Sequence, residues 1–145
     1  MDLVGPDLFV GTRGDATDNE TLGTHEITTI ISLTHEQPEL SDSAIDIYSI
    51  PLIDGPQNDR DQFTEAVEAT ATALAAGECV LVHCSVGASR SPTVAATALA
   101  VTQEIDLEDA LQQVADNRAA VDPHEALLRQ AAHVYTDLVD SASLN

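Results

Sequence analysis

The stretch from Val80 to Pro92, reading V-L-V-H-C-S-V-G-A-S-R-S-P, constrains the fold of this chain more than any other part of it. Val80, Leu81 and Val82 are apolar and partly β-branched, as a buried strand requires; small residues follow, and an Ala-rich helical stretch begins near Ser91. Strand, loop and helix start therefore meet in one segment. The amino end of a helix presents N–H groups with no intrahelical partner, together with the positive end of the dipole, so a loop placed there is suited to an anion. Into that loop the sequence sets one thiol, Cys84, and six residues later one guanidinium, Arg90.

Ser85, Val86, Gly87, Ala88 and Ser89 lie between them, enough backbone to curl around one tetrahedral oxyanion. Gly87 admits a positive φ or a close backbone approach. Arg90 can grip two oxygens of the anion at once, which a Lys cannot. A thiol where N–H dipoles and a guanidinium converge is favoured as the thiolate, its nucleophilic form. Ser91 is placed to donate its hydroxyl to that sulfur and ease its departure in a second step. The plain alternative is a buried cysteine in a strand that precedes an ordinary helix start.

The run His83-Cys84-Ser85-Val86-Gly87-Ala88-Ser89-Arg90-Ser91 resembles the H-C-x-x-G-x-S-R-S signature of the dual-specificity branch of the cysteine-dependent protein phosphatases. The resemblance implies an α/β fold, with a central, mostly parallel mixed sheet of about four to five strands flanked by helices on both faces. It implies hydrolysis of phosphotyrosine and phosphoserine or phosphothreonine through a phosphocysteine, with a phosphorylated protein as substrate and neither cofactor nor metal. Cys84 would be the nucleophile, Ser85 to Arg90 the phosphate-binding set, and His83 and Ser91 supporting residues, His83 ordering the loop rather than transferring protons. Leu8-Phe9-Val10-Gly11 resembles the family's opening L-Y-L-G strand, and Asn117 to His124 resembles its R-P-x-I-x-P-N segment, with Ala119 in place of the usual Pro and His124 in place of the usual Asn. So aligned, the resemblance runs from Leu8 to about Tyr135.

Phosphoryl transfer to a thiolate needs an acid for the departing oxygen and later a base for water, and one carboxyl group can serve both steps. Asp54 is the candidate, because it follows the strand Ile45–Ile50 closely and precedes Gly55-Pro56, where a loop should turn; the resemblance implies an Asp at the matching place. Asp59 and Asp61 are rivals, although Asp61 also reads as the cap of the next helix.

Elsewhere the pattern predicts strands at Leu8–Gly11, Ile27–Leu33 and Ile45–Ile50, the last alternating as a half-buried strand would, and a short helix around Asn19–Leu22. Helices are predicted over Phe63–Ala76, ended by Gly77, from Pro92 to about Val101, and from Asp106. A terminal helix is predicted with Asp122 as N-cap, Pro123 at the first helical position and Glu125 closing a capping box. Cys79 lies five residues before Cys84, a spacing that turns the two side chains to opposite faces of a strand, so Cys79 reads as a buried structural cysteine rather than a resolving thiol. His25, His35, His124 and His133 show no metal-ligand spacing.

The chain has 145 residues, which suits a single domain over residues 1–145, and no apolar run long enough to span a membrane. With no basic amino-terminal region and a catalytic thiol that needs reducing surroundings, a cytoplasmic location is expected. Its 25 Asp and Glu face five basic residues, all Arg, for a formal charge of -20. Acidic residues spread along the whole chain, with Lys absent, resemble the proteins of halophilic archaea, whose salt screens such self-repulsion. An ordinary acidic domain that binds a basic partner accounts less well for the missing Lys. Nucleic-acid binding through a basic patch is excluded.

Ser85, Val86, Ala88 and Ser89 are neutral, unlike the basic loop residues with which lipid phosphatases of the superfamily meet a polyphosphorylated ring. The ending Arg90-Ser91-Pro92 departs from the Arg-Thr-Gly of the longer tyrosine-specific enzymes, so the resemblance implies a shallow site. The alternatives are a phosphoprotein-binding module without catalysis, a phosphatase of RNA 5'-phosphates or of a small metabolite, and a sulfurtransferase, which would need neither Asp54 nor Ser91.

Overall fold

Val80–His83 forms β5, the middle strand of a five-stranded sheet of order β1-β2-β5-β3-β4, and that position accounts for its unbroken apolar character. The computed structural model describes residues 1–35, 44–53, 60–119 and 121–143. In chain order these hold β1 (Asp2–Gly5), β2 (Leu8–Gly11), α1 (Arg13–Thr17), α2 (Asn19–Thr24), β3 (Thr29–Ser32), β4 (Asp46–Ser49), α3 (Arg60–Ala75), β5, α4 (Arg90–Gln103), α5 (Leu107–Asn117) and α6 (Glu125–Ser143). Only β1 runs antiparallel to its neighbour, so the sheet is the mostly parallel mixed sheet expected. No helix among the described residues is long and apolar enough to cross a membrane.

Register divides the side chains between two cores. Phe9, Leu81 and Ile30 stand abreast and bury one face with Ala16 of α1 and Leu22 of α2. Val10, Val82 and Ile31 stand abreast on the other face, in a larger core that takes in Phe63 and Val67 of α3, Leu99 of α4, Val114 of α5 and Leu127 of α6. Helices thus cover both faces. In α4 every residue from Ser91 to Ala100 is buried, which a helix lined with Ala permits because neighbours approach closely on all sides. The buried hydroxyls of Thr93 and Thr97 are satisfied within the helix, each donating to the carbonyl four residues back at 2.7 Å.

Several elements depart from the sequence pattern. The strand β1 was not anticipated; it is short and turns back through Asp7 at a φ of 61°, in the left-handed region. The short helix α1 was also not anticipated, although Thr12 and Asp15 form a reciprocal capping box at its start. The strand β4 lies at the sheet edge and is more exposed than half-buried, with Asp46, Tyr48 and Ser49 all exposed. Asp61 stands inside the first turn of α3, not ahead of it as a cap. Asp122 does not cap α6: that helix begins at Glu125, and His124 precedes it, its Nδ1 accepting from the N–H of Ala126 at 3.0 Å. The residues before it stay outside the helix, with the N–H groups of Asp122 and His124 bonded to Ala88 and Ser89 instead. Cys79 is half-buried on the α1–α2 side while Cys84 belongs to the opposite core, as the spacing required. Burial pushes the Cys79 thiol up, and the thiol donates to the His25 carbonyl at 3.5 Å.

Candidate active site

Because β5 ends at His83 and α4 begins at Arg90, the residues between them have one short path from the centre of the sheet to a helix start. Cys84 is 2 % exposed. Its Sγ lies 3.1 Å from Ser91 Oγ and receives the backbone N–H of Ser91 at 3.5 Å, so the first turn of α4 is aimed at the sulfur. Ser89, the residue before the helix, makes no capping bond with its side chain. Its hydroxyl instead accepts from the N–H of His124 at 2.7 Å.

The loop carbonyls all have partners outside the loop. That of Ser85 accepts from the N–H of Arg13 at 3.2 Å and that of Ala88 from the N–H of Asp122 at 2.7 Å. Those of Val86 and Gly87 accept from the Arg118 guanidinium, Nη2 at 3.2 Å and Nε at 2.9 Å. In a planar trans peptide the C=O and the following N–H point opposite ways, and no described peptide is cis. The N–H groups of Val86, Gly87, Ala88 and Ser89 are therefore turned away from these outer partners, toward the interior of the loop. Gly87 holds the curl with a φ of 70°.

Arg90 spans the rim. Its Nη1 donates to the Leu52 carbonyl at 2.9 Å and its Nη2 to Ser85 Oγ at 3.0 Å, which leads the carbonyl end of Leu52 to the loop. His83 is fully buried behind Cys84, with Nδ1 3.4 Å from the Cys84 carbonyl; that acceptor fits a proton on Nδ1. Burial holds its imidazole below the usual value, and the Arg13 and Arg90 charges push the same way, so the ring is held toward its neutral form. Its Nε2 is buried without a hydrogen-bond partner among the described residues.

Of the residues expected from sequence, His83, Cys84, Ser85 to Ser89, Arg90 and Ser91 are brought together. Asp54 and its rival Asp59 lie outside the described residues, and Asp61 is exposed on α3. Arg118, Asp122 and His124 were not read as site residues. The only sequence signal for them was the segment Asn117–His124, and its departure at His124 does not break contact with the loop, because the bonds from Asp122 and His124 are made by backbone N–H groups.

Residues 8–137 match the family model described as dual specificity phosphatase, catalytic domain. Human dual specificity protein phosphatase 22 is 31% identical over 131 residues, covering 90% of this chain and 71% of that protein. The crystal structure of human DUSP28 superposes with a TM-score of 0.88 at 25% identity, over 97% of this chain and 99% of that one. The fold is also that of a human tyrosine phosphatase-like serine/threonine/tyrosine-interacting protein, with a TM-score of 0.81 at 24% identity over 100% of this chain and 98% of the other.

Proposed function

The chain belongs to the dual specificity phosphatase family and is a protein phosphatase, and on that premise we propose that Cys84, Arg90 and Asp54 carry its chemistry on phosphorylated protein substrates. The Cys84 thiolate attacks phosphorus in line: an S–P bond forms as the P–O bond to the substrate breaks, and Asp54 protonates the departing oxygen. Water then attacks the phosphocysteine, giving its proton to Asp54 as a new P–O bond forms and the S–P bond breaks. The Ser91 hydroxyl, 3.1 Å from the sulfur, supports the thiolate as it leaves. The inward N–H groups of Val86 to Ser89 and the Arg90 fork hold the equatorial oxygens, where negative charge grows in the transition state.

One observation carries this reading: every carbonyl from Ser85 to Ala88 is engaged by a partner beyond the loop, which by peptide planarity turns the N–H groups of Val86 to Ser89 the other way, in a loop that starts at a buried thiol. Asp54 is supported by the chain path, since it follows by two residues the Leu52 carbonyl that Arg90 binds. Phosphoprotein is favoured over a polyphosphorylated lipid because the loop side chains are neutral, and over RNA because the chain carries a formal charge of -20. A fold shared with an interacting protein does not by itself imply hydrolysis; the thiol, guanidinium and serine hydroxyl together favour it over binding alone.

The test is phosphate release from a panel of phosphotyrosyl, phosphoseryl and phosphothreonyl peptides, phosphoinositides and 5'-phosphorylated RNA, with Cys84→Ser as control. Release from phosphopeptides that persists in chelator and vanishes in Cys84→Ser is expected. A metal requirement, or full activity of Cys84→Ser, would overturn the scheme.

A further inference from the structure

We propose that Arg118 is a positioning residue for this reaction: held by Asp2, its guanidinium fixes the outward carbonyls of the phosphate loop and so sets the direction of the N–H groups that receive the phosphate. The inference rests on the phosphatase reading above.

Arg118 follows the last turn of α5 in an extended conformation, and its side chain is only 11% exposed. From there the guanidinium reaches four acceptors on three parts of the chain. Two are consecutive loop carbonyls, Val86 and Gly87. Its Nη1 donates to the Val10 carbonyl at the end of β2, at 3.3 Å, and to Asp2 Oδ2 on β1, at 3.0 Å. The strand β1 is itself fastened to α5, where Gln113 Nε2 donates to the Val4 carbonyl at 3.0 Å. A rigid planar fork can serve adjacent carbonyls in fixed directions; an ammonium, a point charge on a flexible stem, cannot do the same.

The dependence of loop shape on this residue follows from what the other braces are. The Ser85 and Ala88 carbonyls are held by backbone N–H groups, while those of Val86 and Gly87 are held by the Arg118 side chain. Each governs one peptide plane, and therefore one inward N–H, those of Gly87 and Ala88. The fit is close. A Cβ at Gly87 would run into the Arg118 Nη2 and stand 2.9 Å from the Gly11 carbonyl, so residue 87 lacks a side chain for Arg118 as well as for its own φ. The guanidinium also adds positive charge beside the loop, and Asp2 holds it there.

The experiment uses the full chain and compares Arg118→Ala, Arg118→Lys and Asp2→Asn with the parent. It measures inorganic phosphate affinity by calorimetry, kcat and KM separately on a phosphopeptide, and the thermal midpoint. Arg118→Ala is expected to weaken phosphate binding and to lower kcat by about tenfold to a hundredfold, less than the loss of a direct transition-state donor costs. Millimolar methylguanidinium should restore part of both in that variant, Arg118→Lys should recover only part, and Asp2→Asn should cost up to about fivefold, as for a solvent-accessible ion pair. A lowered thermal midpoint with unchanged phosphate affinity and kcat would overturn the proposal, as would full recovery in Arg118→Lys. If Arg118→Ala does not fold, unchanged phosphate affinity and kcat in both remaining variants would overturn it. If Cys84→Ser still released phosphate, the phosphatase reading would fall, while the phosphate titration would still report on Arg118.

Discussion

Gly87 is the residue at which conformation and contact make the same demand. At its φ of 70° an L-side chain costs roughly 1–2 kcal/mol, and Arg118 leaves no room for one. Gly87→Ala is therefore expected to lower the thermal midpoint and to weaken phosphate binding together; a drop in stability alone, read by melting and calorimetry side by side, would separate the loop's shape from its function. His83 sets a pH dependence of stability. Its folded value lies below its unfolded one, chiefly through burial, so the unfolded chain takes the proton first. Stability is then fully present above the unfolded value, about 6.5, and is lost as pH falls from there to the lowered folded value. Thermal midpoints taken across that range should fall less steeply in His83→Gln. The acid is decided by substitution: Asp54→Ala should lower kcat by about 10²–10⁴-fold while substrate still binds, and the same loss in Asp59→Ala or Asp61→Ala instead would move the role there.

At the scale of elements, the β5–loop–α4 unit was legible in sequence because its parts are contiguous: an apolar run, small residues and a helix start need no distant partner to be recognised. Arg118 was not, because its acceptors lie 31 and 32 residues away in the loop and 116 away at Asp2, separations at which periodicity carries no signal. The start of α6 was misplaced for a related reason. Asp122-Pro123 satisfies every local rule for a helix start, yet the N–H of Asp122 goes to the Ala88 carbonyl and that of His124 to Ser89, and these tertiary bonds keep the segment out of the helix until Glu125. The short elements β1 and α1 were missed because so few residues show no period. Packing follows the expected pattern more closely. Phe63 of α3 is fully buried in the larger core, and Phe63→Ala should cost about 3–5 kcal/mol in a denaturant melt, with the loop's phosphate affinity retained in the fraction that remains folded.

For the whole molecule, charge is the dominant bulk property. A formal charge of -20 repels a phosphorylated substrate at long range, against the short-range attraction proposed for the loop. At about 1 M salt the Debye length is roughly 3 Å, so the long-range term vanishes while contacts inside the loop persist in part. KM for a phosphopeptide should therefore fall, and the thermal midpoint rise, from low to multimolar salt; constant values of both would leave the acidic surface without this role. The charge was readable from composition, whereas its relation to the site was not, because that depends on Arg13, Arg90 and Arg118 being gathered at one end of a central strand.

The sheet order has a consequence for how the protein ages under heat. The proposed nucleophile follows the middle strand, flanked on both sides, but Arg118, which holds the loop carbonyls behind it, is anchored at Asp2 on β1, an outermost strand. Border strands open at lower free energy than the centre. The proposed centre thus draws on both a middle and a border strand of one sheet, and on slow warming the grip on phosphate should slacken while the interior is still intact, so that inactivation runs ahead of melting.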